Sequence, residues 1–180
     1  MNFGGPGALS LAALDGFAMV KVASEADAVI VAALAREIWT EHYTGLIGPE
    51  QVEYMLTTIQ SPQAIARQLR EGYDYRILES GGERAGYFAV RSEPETRALF
   101  LSKLYVRKAM RGRAIARRAI EWMSAHAQTL GLDRIRLTVN KHNFALQAYQ
   151  RMGFEIVEDI MTDIGAGFVM DDYRLEKRLI

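Results

Sequence analysis

The stretch Tyr105-Val-Arg-Lys-Ala-Met-Arg-Gly-Arg-Ala-Ile-Ala116 decides the fold. An apolar strand ends at Tyr105-Val106, and Arg111-Gly-Arg-Ala-Ile-Ala116 opens a basic helix. A glycine-containing turn into a helix leaves backbone N–H groups without helical partners at the positive end of the helix dipole, an arrangement that holds a pyrophosphate. Arg107, Lys108, Arg111, Arg113, Arg117 and Arg118 crowd the same turn. Charge runs are ordinarily solvated helix faces, but at a helix start cations and backbone donors act on a phosphate together.

Downstream, a second strand, Ile135-Arg-Leu-Thr-Val139, leads into Asn140-Lys-His-Asn143, then a short helix bearing Tyr149, then Gly153-Phe154. The helix between the two strands, Ala114 to Leu130, is amphipathic through Ile115, Ala119, Trp122, Met123, Ala127 and Leu130, and Gly131 ends it. Upstream, Tyr73 to Glu79 and Arg84 to Arg91 flank Gly81-Gly82, a hairpin turn, and Leu99 to Val106 follows as the next strand. Phe17 to Ala23 reads as the first strand. Ser24 with Asp27 forms a variant capping box for a helix whose apolar stripe is Ala26, Val29, Ile30, Ala33, Leu34 and Ile38. Gly45 and Gly48 are expected to break it, with Pro49 and Ser61-Pro62 starting two more helices. Past the Tyr149 helix, strands are expected over Phe154 to Thr162 and Phe168 to Lys177. The order β-α-α-α-β-β-β-α-β-α-β-β predicts an α+β fold, a mixed and mainly antiparallel central sheet flanked by helices.

At 180 residues this is one domain, read as 17–180, behind a glycine-rich leader over 1–16. That leader has no basic residue, as a secretory signal would. Twenty-two basic and 22 acidic residues give no net field for nucleic acid or membrane, and the absence of Cys removes disulfide, thiolate-metal and cysteine-nucleophile chemistry. The expectation is a cytoplasmic protein with no metal, no nucleic-acid partner and no membrane partner. Exposed sheet edges suit a homodimer.

The two strand–helix units resemble the GCN5-related N-acetyltransferase (GNAT) family. Its phosphate motif reads Arg or Gln, two residues, Gly, one residue, then Gly or Ala; here Ala116 is within the pattern and Ala114 replaces the more typical Gly. The later signature is similar to Asn143, Ala145, Tyr149 and Gly153-Phe154. The resemblance implies acetyl-CoA as cosubstrate. Its pyrophosphate would lie on Arg111, Gly112, Arg113, Ala114, Ile115 and Ala116, and its pantetheine would pair with the splayed strand end Leu104, Tyr105 and Val106. It also implies an asparagine contact, from Asn140 or Asn143; either could equally cap the helix near Phe144. Tyr149 is implied as the proton donor to the departing thiolate. If the Ala114 backbone is helical its methyl favours the helix; if it approaches phosphate closely the methyl must be accommodated.

Many family members carry a Glu base on the strand before the cofactor loop, where this chain has Ser102-Lys103. Asp171, Asp172, Glu41 and His42 remain candidates, and adjacent strand residues face opposite ways, so only one Asp of the pair points into a given site. Trp39 and Tyr43 are four apart and share a helix face. Either they pack the helices onto the sheet or, with Asp171, they hold a cationic amine by cation–π attraction and ion pairing. The chain resembles the PaiA-like polyamine acetyltransferases. That resemblance implies a small-molecule amine such as spermidine as acceptor. Peptide or protein N-terminal amines, or acyl-CoA binding without turnover, are the rival readings.

Overall fold

The computed structural model describes residues 16–179, so the expected leader, Gly16 apart, lies outside the described residues. The elements run β1 (Ala18–Lys21), α1 (Glu25–Ile47), α2 (Pro49–Thr58), α3 (Pro62–Arg70), β2 (Asp74–Ser80), β3 (Glu83–Glu93), β4 (Ala98–Val106), α4 (Ile115–Thr129), β5 (Arg134–Asn140), α5 (Ala145–Arg151), β6 (Glu155–Gly165) and β7 (Phe168–Arg178). The order is the expected one, and so is the α+β class.

Local chemistry sets most boundaries. The Ser24 hydroxyl accepts the Asp27 N–H while the Asp27 carboxylate takes the Ser24 N–H, a reciprocal cap on α1. Gly81 and Gly82 both have positive φ, 62° and 81°, the backbone that a two-residue hairpin needs to match strand twist. Gly45 does not break α1, contrary to expectation; the helix continues to Ile47 and stops at Gly48, φ 85°. One helical glycine costs only about 1 kcal/mol, whereas the residue before a proline is pushed out of helical space, and Pro49 follows Gly48.

The buried face of α1 is Ala28, Val31, Leu34, Ala35, Ile38 and Trp39. Of the expected stripe only Leu34 and Ile38 are fully buried; Val29 is 54% exposed. Apolar residues encircle the first half of α1, so sequence spacing did not single out the face that meets the sheet.

The sheet order is β1-β2-β3-β4-β5-β7-β6. All neighbours are antiparallel except β4 and β5, which are parallel and joined through α4. β3 is buried from Ala85 to Val90 because both faces are covered. On one face α4 packs Ile115, Ala119, Ile120 and Met123 against Phe88, Leu99, Leu101 and Ile135. On the other, α1 to α3 pack Ile38, Trp39, Val52, Met55 and Ile65 against Tyr75, Ile77, Tyr87 and Ala89.

One register detail creates the site. β4 and β5 pair from Ala98↔Arg134 only as far as Leu101↔Leu137. Beyond it β4 continues on β3 to Val106 and β5 continues on β7 to Asn140, so the two parallel strands diverge.

Candidate active site

The wedge between the diverging strands opens into a cleft of about 970 Å³ running from the start of α4 to the aromatic end of α1. In an open sheet of this kind a ligand sits beyond the carboxyl ends of the parallel strands, where the next helix begins. The β4 residues Leu104, Tyr105 and Val106 form one wall, with backbone groups on the β5 side that take no partner from β5.

The loop leading to α4 lies at one end. Arg111 donates its Nε–H to the Val106 carbonyl at 3.2 Å, which folds the loop back over the strand end. Within α4 the first N–H outside the cap is that of Arg118, bonded to the Ala114 carbonyl at 3.0 Å. By helix geometry the N–H groups of Ile115 and Ala116 have no intrahelical acceptor and are available to an anion. Arg111, Gly112, Ala114, Ile115 and Ala116 line the cleft, whereas Arg113 does not. The basic crowd is partly neutralised: Arg107 pairs with Glu37 at 2.7 Å, Lys108 with Glu41 at 3.9 Å and Arg117 with Glu121 at 3.0 Å.

Ala114 is not helical. It caps α4 in the left-handed region, φ 56° and ψ 14°, a conformation that suits the family's glycine. An L side chain there costs about 1–2 kcal/mol, against which glycine loses about 0.4–1 kcal/mol through the freer unfolded chain. Ala114→Gly is therefore expected to stabilise the protein by about 0.5–1 kcal/mol in thermal unfolding, and a fall in Tm would contradict this account of the loop.

Asn140 and Asn143 both line the cleft, and both cap backbone. Asn140 Oδ1 accepts the His142 N–H at 3.0 Å, and Asn143 Oδ1 accepts the Ala145 N–H at 2.9 Å. Asn143, only 6% exposed, does more. Its Nδ2 donates to the Tyr43 hydroxyl at 3.0 Å, and its Oδ1 stands 3.2 Å from His42 Nε2, so the turn between β5 and α5 is tied to α1 across the cleft. This bridge was not visible in the sequence, because its ends are about a hundred residues apart.

Tyr149 lines the cleft with its ring edge-on to Phe154, centroids 5.4 Å apart. Burial holds its phenol well above the usual tyrosine range, with Tyr43 adding to the shift. At the far end Trp39 stacks on Tyr43 with centroids 4.4 Å apart, and Tyr105 meets Trp39 edge-on at 5.5 Å. Burial pushes Tyr43 up to about 12, opposed by its bond from Asn143. His42 is pulled below its ordinary value by burial, its contact with Asn143 opposing.

Asp171 does not face the cleft. Its carboxylate pairs with Lys141 at 2.7 Å on the opposite side of β7, and Lys141 also pairs with Asp159 at 2.9 Å. The alternation of a strand then turns Asp172 inward; it lines the cleft and is 4% exposed. Burial raises its carboxyl to about 6, the Asp171 charge adding and Lys141 opposing. Glu41 lies outside the cleft, on Lys108. Lys103 is buried, its ammonium turned towards Gln68 at 2.7 Å and held down to about 8 by desolvation. Among the described residues no group of His, Cys, Asp and Glu could hold a metal ion, and no helix is long and apolar enough to cross a membrane.

Comparison with known proteins agrees with this architecture. The chain is 29% identical over 104 residues to the uncharacterized N-acetyltransferase YdgE of Bacillus subtilis, an alignment that takes in 53% of this chain and 66% of that protein's length. The crystal structure of the PaiA N-acetyltransferase of Thermoplasma acidophilum, in complex with coenzyme A, superposes with a TM-score of 0.74 at 20% identity, covering 90% of this chain and 98% of that one. A chimera of the Vibrio cholerae spermidine N-acetyltransferase SpeG superposes with a TM-score of 0.63 at 13% identity, covering 91% and 95%. Residues 44–176 match the acetyltransferase (GNAT) domain. The diverging β4 and β5, the capped loop before α4 and that match across most of the sheet lead to one conclusion: the chain belongs to the GNAT acetyltransferase family.

Proposed function

We propose that the protein transfers the acetyl group of acetyl-CoA directly to a primary amine, most simply a small polyamine such as spermidine, bound together with the donor. The observation that carries this is the divergence of β4 and β5 past Leu101 and Leu137, which gives one cleft two chemically different ends. The α4 end offers backbone N–H groups and Arg111 to a pyrophosphate, and the strand wall between offers β4 groups to the pantetheine amides. The α1 end offers the Trp39 and Tyr43 rings and the Asp172 carboxylate to a cation. The neighbours in complex with coenzyme A or named for spermidine support the same assignment. A cytoplasmic site of action fits a chain without Cys, and the exposed strand β6 at the edge of the sheet suits a homodimer.

The chemistry needs an uncharged nitrogen. An alkylamine of pKa about 10 is only about 0.1% neutral at pH 7, a cost of about 4 kcal/mol. The attack breaks the thioester C–S bond and leaves a thiolate beside Tyr149. Because burial raises the Tyr149 phenol further above the ordinary thiol value of about 8.5, the phenol stays protonated and stabilises the sulfur as a hydrogen-bond donor.

Free-thiol release from acetyl-CoA, measured with a panel of amines headed by spermidine, tests the proposal. Spermidine-dependent release is expected. Release with peptides alone would keep the transferase and replace the acceptor. Binding of acetyl-CoA with no release from any amine would overturn the reading in favour of a non-catalytic binder.

A further inference from the structure

Of the residues lining the cleft, two are acids, Glu121 and Asp172. Glu121 is held by Arg117 at 3.0 Å on the outer surface of α4. Asp172 is different in kind. It stands on β7 opposite Asn140, three residues past the last β4–β5 pair, where the wedge is already open. Its Oδ1 is buried and has no hydrogen-bond partner. An anionic oxygen out of water without a donor is unfavourable in a protein at rest. It becomes favourable once an N–H group arrives.

We propose that Asp172 is the group that receives the acceptor as an ammonium ion and takes its first proton, so that this chain's general base sits on β7. The inference rests on the acetyl-transfer reading above. The step balances. R–NH3+ gives one proton to the Asp172 carboxylate, and the freed lone pair forms the N–C bond. The C–S bond breaks, the second nitrogen proton ends on sulfur to give CoA–SH, and Asp172 returns its proton to water.

The groups facing Asp172 agree with this role. Lys141, the nearest cation on β5's end, is shared by Asp171 and Asp159 and leaves Asp172 without a full counter-ion. From α1, Tyr43 feels the Asp172 charge, and Tyr43 in turn acts on Tyr149, so the three groups share one electrostatic neighbourhood. Met170, two residues earlier on the same face of β7, lines the cleft as an apolar wall. Burial among these groups favours the neutral amine and raises the carboxyl towards about 6, which brings the two partners of the transfer closer together.

His42, the other candidate lining the cleft, turns its Nε2 to Asn143, which leaves only Nδ1 to accept a proton. Asn143 Oδ1 already accepts the Ala145 N–H and is therefore an acceptor, so the His42 Nε2 beside it carries the hydrogen. Arg111 further disfavours a charged His42.

Asp172→Asn tests the proposal, read by thiol release across pH with acetyl-CoA binding as the control for folding. For wild type, kcat/KM with an alkylamine is expected to rise through about pH 6 and then level. The variant is expected to lose about 10²-fold at pH 7 and to climb steadily towards the amine's own pKa of about 10, because only amine already neutral reacts. With an electron-poor primary amine that is uncharged at pH 7, the deficit is expected to shrink to less than about tenfold. An equal deficit for both amines would overturn the proposal and leave Asp172 a structural anion. If the Asn variant does not bind acetyl-CoA, the wild-type profile decides instead, and a limb that tracks the amine pKa rather than about pH 6 would overturn it. Asp172→Glu is expected to keep the acid limb at a reduced rate. Absence of thiol release from wild type with every amine would sink the acetyl-transfer reading itself, an outcome distinct from these.

Discussion

Replacing Tyr149 by Phe is expected to lower kcat for thiol release by about 10²-fold while acetyl-CoA affinity changes by less than about threefold. The asymmetry follows from where the hydroxyl acts. The Phe ring keeps the edge-on contact with Phe154, so the packing that shapes the cleft survives. On the proposed mechanism, what is lost is one O–H that donates to a sulfur becoming negative only as the C–S bond breaks, an interaction stronger in the transition state than in the bound ground state. Phenol and thiol differ by about 1.5 pKa units in water, and burial widens that gap for Tyr149. Steady-state kinetics beside calorimetric titration with acetyl-CoA measures both quantities. A kcat within about threefold of wild type would remove Tyr149 from the mechanism.

Gly86→Ala is the second large effect, and it acts on the fold. A Cβ built on Gly86 would lie 2.1 Å from the Tyr105 carbonyl oxygen and 3.0 Å from the Val106 Cα. Both neighbours are backbone, so no side chain can swing aside. β3 and β4 must separate by on the order of 1 Å, and they do so at the Gly86↔Val106 pair, beside the β4 segment that walls the cleft. The cost is expected to be about 3 kcal/mol, a fall in Tm of about 6–12 °C for a domain of this size. Acetyl-CoA affinity is expected to fall with it, since Tyr105 and Val106 shift together. A Tm within about 2 °C of wild type would show that the strands give way easily here.

The elements proposed to hold the donor were readable in sequence because they are consecutive. The loop Arg111 to Ala116, the strand before it and the helix after it are consecutive, and a glycine-containing turn between them has few other uses. The Ser24–Asp27 cap and the Gly81-Gly82 turn were readable for the same reason. The acceptor half is assembled from distant segments. Asn143 reaches Tyr43 and His42 only because the turn between β5 and α5 meets α1 at the cleft. Alternation showed that one of Asp171 and Asp172 must face inward; which one depends on the pairing of β7 with β5 and on Lys141 taking Asp171. The close approach at Gly86 gave no sequence signal, since a glycine in a strand is equally a bulge or an unremarked small residue. Ala114 was legible as a departure from the family's glycine, but its left-handed backbone was not.

β7 follows β6 in the chain yet lies between β5 and β6 in the sheet. Without β7 the chain would still carry the loop before α4 and the sequence of the parallel β4–β5 pair, but the outer side of β5 would have no neighbour and Asp172 would be missing from the cleft. Strand β6 finds its place only through β7, so the hairpin must enter as a unit. The two ends of the cleft thus depend on different parts of the chain: the proposed anion cradle on the run from β4 into α4, and the proposed proton acceptor on the strand that closes the sheet.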